Sequence, residues 1–143
     1  MEDIIVDISA LKGKTLTSIY ANDVKTDMVF VASDKTIYHM YHKQYWCEEV
    51  RIEDIAGDLE DLIGSPILVA ELVVSSHKKE TASNENEVED DDDYTWSYYK
   101  LATVKGWVVI RWYGSSNGYY SETVSFTRVC EDYKHTSGEY ENN

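Results

Sequence analysis

Hydrophobic and polar residues alternate along several short stretches of the chain, a two-residue period that is typical of β-strands with one buried face. In the N-terminal third this pattern predicts strands at residues 16–21, 28–32 and 36–41. The polar residues 33–35 separate the last two strands and are typical of a tight turn. These two strands should therefore form a β-hairpin.

The C-terminal half repeats this pattern over longer stretches rich in Tyr and Trp. Strands are predicted at residues 94–104, 107–113 and 119–129. Lys105-Gly106 should form the first turn, and residues 115–118 the second, because the Asn-Gly pair they end on accepts positive φ at little cost. The three strands are expected to form an antiparallel meander.

Between these regions lies a stretch with helical spacing, followed by one more strand. Apolar residues recur three or four positions apart at Ile52, Ile55, Leu59, Leu62 and Ile63, and acidic residues fill most of the opposite side. This pattern predicts an amphipathic helix over about 52–63, ending at Gly64 before Pro66. Residues 67–74 are apolar on both faces, which favours a central position in the sheet.

These elements place the chain in the α+β class with mainly β structure. We expect one curved antiparallel sheet of six or seven strands with the short helix packed on one face. Closure of this sheet into a barrel is the alternative. The 143 residues form a single domain. Residues 78–93 are predicted to be an acidic flexible loop, and residues 131–143 a polar tail.

Charge says more about partners than about the fold. The formal net charge is −14, so direct binding to nucleic acid and to anionic membranes is disfavoured. The charge is concentrated in residues 85–93, which run directly into the aromatic residues Tyr94 and Trp96. Basic protein surfaces, including those that normally hold nucleic acid, are the partners that this arrangement favours. A second copy of the chain, in a homo-oligomer, is another possible partner.

No catalytic or metal-binding pattern stands out in the sequence. A dyad of His42 with Cys47 is less expected than a structural cysteine. His39 and His42 should lie on opposite faces of a strand, which spoils a two-histidine metal site. We therefore expect a protein that is not an enzyme and binds no metal or cofactor.

The acidic start of the chain has no apolar segment typical of a signal peptide. This favours the cytoplasm, with Cys47 and Cys130 as reduced thiols.

Arg111 is the one residue that points to a small ligand. It lies in the middle of a predicted strand among aromatic residues, where a guanidinium group can stack on rings or hold a phosphate. A nucleotide pocket would be lined by Arg111, Tyr113, Asn117 and Tyr119. The competing interpretation is that Arg111 pairs with Glu122 across the hairpin on a solvated face.

Two stretches carry a resemblance to a known family. Residues 57–68 read Gly-Asp-Leu-Glu-Asp-Leu-Ile-Gly-Ser-Pro-Ile-Leu, and residues 111–120 read Arg-Trp-Tyr-Gly-Ser-Ser-Asn-Gly-Tyr-Tyr. With shorter matches at residues 11–16, 38–42 and 94–96, the chain resembles small proteins of unknown function encoded by bacteriophages, chiefly those of Gram-positive hosts. The resemblance covers most of residues 11–127. It implies a phage origin and the host cytoplasm as the setting, and it supplies no catalytic or binding residues.

Together, these observations predict a non-enzymatic phage protein that binds and inhibits a bacterial host protein of antiviral defence or nucleic-acid machinery, with an acidic surface that could mimic nucleic acid. The alternative is a sponge that sequesters a nucleotide immune signal. The residues predicted to contact the partner are Glu53, Asp54, Asp58, Asp61, Glu89, Asp90, Asp91, Asp92, Asp93, Tyr94 and Trp96. Further aromatic anchors are expected at Trp107, Trp112 and Tyr113.

Overall fold

A computed structural model describes residues 3–43, 48–77, 93–116 and 123–129. Within these residues, nine strands form two antiparallel sheets. The strands are β1 (Ile4–Ile5), β2 (Leu16–Ala21), β3 (Asp27–Ala32), β4 (Ile37–Tyr41), β5 (Glu49–Ala56), β6 (Val69–His77), β7 (Asp93–Thr103), β8 (Gly106–Ser116) and β9 (Ser125–Val129). Two short 3-10 turns cover Ile8–Leu11 and Leu59–Leu62.

The first sheet has five strands in the order β1-β9-β4-β3-β2. Its centre is the predicted hairpin of β3 and β4, which the structure confirms with Val31 opposite Ile37. Lys35 adopts a positive φ of 77° in the turn, and the Asp34 carboxylate accepts a hydrogen bond from the Thr36 N–H at 3.0 Å. The strand predicted at residues 16–21 is also confirmed, as β2.

The second sheet has four strands in the order β5-β8-β7-β6. Its two central strands, β7 and β8, pair over eleven positions from Asp93 opposite Ser116 to Thr103 opposite Gly106. The turn therefore consists of residues 104–105, one position earlier than predicted. Inward-facing residues of both strands are buried, and the residues between them point outward.

One hydrophobic core lies between the two sheets. The first sheet contributes Phe30, Met40 and Phe126, and the second contributes Tyr99 and Ile110, all at most 5% exposed. Trp112 belongs to the same cluster at 1% exposure. The core therefore joins the two sheets into one buried cluster.

The prediction of a single sheet was wrong, because the last strand does not continue the meander. β9 pairs with β4 and β1 in the five-stranded sheet rather than with β8. The described strands form two open sheets and do not close into a barrel. Local turn signals identify neighbouring strands, but the pairing of β9 with β4 joins residues that lie about ninety positions apart in the sequence.

The predicted helix over 52–63 is also wrong. Residues 49–56 form β5, in which Val50 and Ile52 are buried while Glu53 and Asp54 are exposed. A register shift between Ile52 and Asp54 adds one residue to the strand, as in a β-bulge, and turns the two-residue period into a spacing of three. The helical pattern thus arose from an irregular strand followed by the Leu59–Leu62 turn.

Gly57 separates β5 from that turn. It has a φ of 100°, a left-handed conformation that favours glycine. An added Cβ would lie 2.5 Å from the carbonyl oxygen of Trp107. A side chain at this position would therefore separate the end of β5 from the start of β8.

β6 lies at an edge of its sheet, so the central position predicted for residues 67–74 was wrong. Its apolar residues Leu72, Val73 and Val74 are 42%, 43% and 53% exposed. In the described parts of the chain, no helix is long and apolar enough to cross a membrane.

Candidate functional site

The outer face of the four-stranded sheet carries a cluster of aromatic and arginine side chains. Alternation along β7 turns Tyr94, Trp96 and Tyr98 outward, and alternation along β8 does the same for Arg111 and Tyr113. The strand register places Trp96 opposite Tyr113 and Tyr98 opposite Arg111. Arg51 of β5 extends this row, because it lies opposite Tyr113 on the other side. We call these six residues the aromatic face.

Five of the six side chains of the aromatic face, all except Tyr98, form ring or cation–π contacts with one another. The ring centroids of Trp96 and Tyr113 are 4.9 Å apart at an angle of 57°, and Tyr94 lies 6.4 Å from Tyr113. The guanidinium of Arg111 is 4.8 Å from the Trp96 ring, and that of Arg51 is 5.2 Å from the Tyr113 ring. Both distances are typical of cation–π contacts. The face is therefore a packed surface rather than a set of separate side chains.

Carboxylates from β5 hold both arginines. Asp54 lies opposite Arg111 and accepts two hydrogen bonds from it, at 3.0 Å from Nε and 2.5 Å from Nη2. Arg51 donates from Nε to Glu49 at 3.0 Å and from Nη1 to Glu53 at 2.5 Å. Three carboxylates thus surround two guanidinium groups, and the local charge is negative.

The carboxylates also raise the pKa of each guanidinium. The pKa of Arg111 is raised chiefly by its hydrogen bond with Asp54, and that of Arg51 chiefly by its hydrogen bond with Glu53. Both arginines therefore stay cationic. Arg111 and Arg51 retain 37% of their side-chain exposure, so the pairs are open to solvent and to a partner.

The predicted acidic residues do not form one surface. Glu53 and Asp54 border the aromatic face, whereas Asp58 and Asp61 belong to the Leu59–Leu62 turn region at the other end of the sheet. Asp58 caps that turn by accepting a hydrogen bond from the Glu60 N–H at 3.0 Å. The Asp61 carbonyl accepts a hydrogen bond from Thr103 Oγ1. Because β8 spans eleven residues at about 3.3 Å each, these two carboxylates lie roughly 30 Å from Tyr94.

Several predicted site residues lie outside the part of the chain that the structure describes. These are Glu89, Asp90, Asp91, Asp92, Asn117 and Tyr119, together with Cys47 and Cys130. The predicted acidic loop and polar tail lie there too, except for Asp93, which begins β7. Glu122, the partner proposed for Arg111, is also outside, and the structure gives Arg111 a different partner in Asp54.

The structure brings some residues of the two predicted sites together and adds others to them. Trp96 came from the partner-binding prediction and Arg111 from the nucleotide prediction, yet they are in contact. The sequence analysis does not single out Arg51, because the helix predicted over 52–63 hides the strand to which Arg51 belongs. The alternation of apolar and polar residues over Val50–Glu53 was the signal that could have identified this strand. Tyr98 is not singled out either, although it lies two residues after Trp96 in a predicted strand. Trp112 cannot anchor a partner, because it is 1% exposed.

The histidines considered as metal ligands have other partners. His39 Nε2 lies 2.7 Å from Asp27 Oδ2. His42 Nδ1 donates to the Thr123 carbonyl oxygen at 2.7 Å, and its Nε2 lies 3.1 Å from Glu48 Oε2. Across residues 3–43, 48–77, 93–116 and 123–129, no three His, Cys, Asp or Glu side chains come together as a metal site would require.

Comparison with known proteins identifies the family but not an activity. No curated protein and no solved structure matches the chain. Residues 9–126 match a domain of unknown function, DUF7448. That match spans β2 to β8 and every residue of the aromatic face, and the chain belongs to the DUF7448 family.

Proposed function

We propose that this chain is a non-enzymatic binding protein that recognises a basic surface on another protein through the aromatic face. The observation that carries the proposal is the arrangement of three carboxylates around two stacked guanidinium groups. Exposed rings offer hydrophobic contact and cation–π partners for incoming Lys or Arg side chains. Glu49, Glu53 and Asp54 offer them carboxylates. The net charge of −14 would speed the encounter.

The setting we propose is a bacteriophage infection, as the resemblance to phage proteins implies. The target would be a bacterial host protein of antiviral defence or nucleic-acid machinery, and binding would inhibit it. A target that normally holds nucleic acid carries the basic surface that this face suits. In that case the chain acts as a nucleic-acid mimic.

The direct test is capture from a host lysate followed by measurement with the purified partner. Trp96→Ala should weaken binding at least tenfold, which is about 1.4 kcal/mol, because a central aromatic anchor is lost. Trp107→Ala is the matched control, since Trp107 is 57% exposed on the same face but about 20 Å further along β8. Equal losses from both variants would contradict the assignment of the site.

Salt and competition test the electrostatic part. Affinity should fall as ionic strength rises, because partly exposed charge pairs are screened. Excess DNA or RNA should displace the chain from a target that normally holds nucleic acid. Binding that resists both treatments would argue against mimicry.

The alternative is a nucleotide sponge centred on Arg111, and the stacking of Arg111 on Trp96 is the observation in its favour. Asp54 opposes it, because a phosphate would have to displace this carboxylate and would then face Glu53. Asp54→Ala separates the two proposals. The substitution should strengthen the binding of an anionic nucleotide and weaken the binding of a basic partner. A panel of cyclic and ADP-ribose-type nucleotides in thermal-shift assays gives the first readout.

A further inference from the structure

Strand β6 has an apolar edge that faces away from β7. β7 pairs with one side of β6, and among the described residues no strand pairs with the other. Leu72, Val73 and Val74 are all more than 40% exposed. Just before β6 the edge is occupied, because Gly13 donates to the Ile67 carbonyl and Ile67 donates to the Lys14 carbonyl, both at 2.8 Å. The 3-10 turn Ile8–Leu11 contacts β6 as well, and the exposed part of β6 is residues 71–76.

Strand β6 itself lacks most of the features that usually block pairing with another strand. Natural edge strands are commonly protected by proline, lysine or a β-bulge. β6 pairs with β7 over nine consecutive positions without a register shift. Its sequence contains no proline, lysine or arginine, and Glu71 is its one acidic residue. An edge of this kind can accept another strand.

We propose that two copies of this chain associate through antiparallel pairing of their β6 strands, centred on Val73. In this register Val73 faces Val73 of the second copy, and Leu72 faces Val74 twice. Glu71 faces Ser75, so no like charges are directly opposed. The strand is therefore complementary to itself, which favours a second copy over an unrelated peptide.

The large net charge does not prevent this association. The two β6 strands run in opposite directions, so the chain leaves each His77 at opposite ends of the shared ladder. Eight residues at about 3.3 Å each separate these ends by roughly 26 Å. That distance exceeds the screening length of about 8 Å at physiological salt. A single pair of strands is smaller than a standard interface, so the dimer should depend on concentration.

The dimer would have one continuous sheet of eight strands. Residues directly opposite each other in an antiparallel pair point to the same face, so both aromatic faces would lie on one side. The dimer proposal does not depend on what the aromatic face binds.

Sedimentation velocity from micromolar to near-millimolar chain concentration tests the proposal. The wild-type protein should shift from monomer to dimer as the concentration rises. Val73→Lys should abolish the shift, because the two introduced lysines would face each other. Val104→Lys is the matched control, since it makes the same change at a turn residue that is 77% exposed, and it should leave the dimer in place. Circular dichroism confirms that each variant is folded.

Mixing complementary variants makes the test specific for this register. Val73→Lys and Val73→Glu should each be monomeric alone, and their equimolar mixture should form a heterodimer of opposed charges. A wild-type protein that stays monomeric at every concentration would overturn the proposal and leave the edge to a strand of another protein. A Val73→Lys variant that dimerises like the wild type would overturn it as well, as would a mixture that associates no more than its components.

Discussion

The indole Nε1–H of Trp112 donates a hydrogen bond to the Sδ atom of Met40 at 3.2 Å, and this bond joins the two sheets through the core. Trp112 lies in β8 and Met40 in β4, and both are at most 1% exposed. A buried N–H without a partner costs about 1–3 kcal/mol. Met40→Leu keeps the volume but removes the acceptor. We expect it to lower the free energy of unfolding by about 1 kcal/mol in urea titrations, because sulfur is a weak acceptor.

Met28→Leu is the control for this prediction, because Met28 lies opposite Met40 in the β3–β4 pair and is equally buried. It should cost less than Met40→Leu. In a Trp112→Phe background the donor is gone, so Met40→Leu should lose most of its additional effect. Strictly additive losses in the double variant would show that the bond contributes no stability.

A glycine can be required by a positive φ or by a close approach of another strand, and Gly57 and Gly13 distinguish these two reasons. Both have positive φ, 100° and 89°, which costs a residue with a side chain about 1–2 kcal/mol. An added Cβ at Gly13 meets nothing within 4 Å, whereas at Gly57 it lies 2.5 Å from the Trp107 carbonyl oxygen. Gly13→Ala should therefore cost about 1 kcal/mol and Gly57→Ala clearly more. Denaturant titration measures both, and equal losses would contradict a close approach of β5 and β8.

Two buried threonines should respond oppositely to the same substitution. Thr127 Oγ1 has no hydrogen-bond partner among the described residues, whereas Thr103 Oγ1 donates to the Asp61 carbonyl and accepts from the Lys105 N–H at 3.1 Å. Thr127→Val should leave stability unchanged or raise it by up to about 1 kcal/mol, since it removes an unpaired hydroxyl. Thr103→Val should cost about 1–3 kcal/mol. A loss of stability in Thr127→Val comparable to that in Thr103→Val would contradict the difference in pairing.

The parts of the fold that the sequence predicts depend on local signals. The β3–β4 hairpin follows from alternation on both sides of a polar turn, and the β7–β8 pair follows in the same way. Two of the wrong predictions concern non-local pairing. Nothing near β9 in the sequence reveals that it pairs with β4. The apolar run of β6 is compatible with an exposed edge strand as well as with a central strand.

In the candidate site, too, local patterns could be predicted from the sequence and a contact between distant residues could not. Alternation in β7 and β8 places Trp96 and Arg111 on one face, and the sequence analysis singled out both. The partner of Arg111 could not be inferred, because Asp54 is 57 residues away and follows an irregularity in β5. An inserted residue changes which side chains face outward, and no local pattern indicates that insertion.

The Asp27 carboxylate should make stability depend on acid pH. Its pKa is lowered mainly by the hydrogen bond with His39, and also by the bond from Thr26. A lowered pKa stabilises the fold above the unfolded value of about 3.9, and this contribution is lost as the pH falls through the folded value. Asp27→Asn should therefore be slightly less stable than the wild type at neutral pH, by less than about 1 kcal/mol for a partly exposed group. Urea titrations between about pH 5 and pH 2 should show the wild type losing stability more steeply than this variant. Asp23→Asn, an exposed change of the same charge, is the control, and a variant curve parallel to the wild type would contradict the role of Asp27.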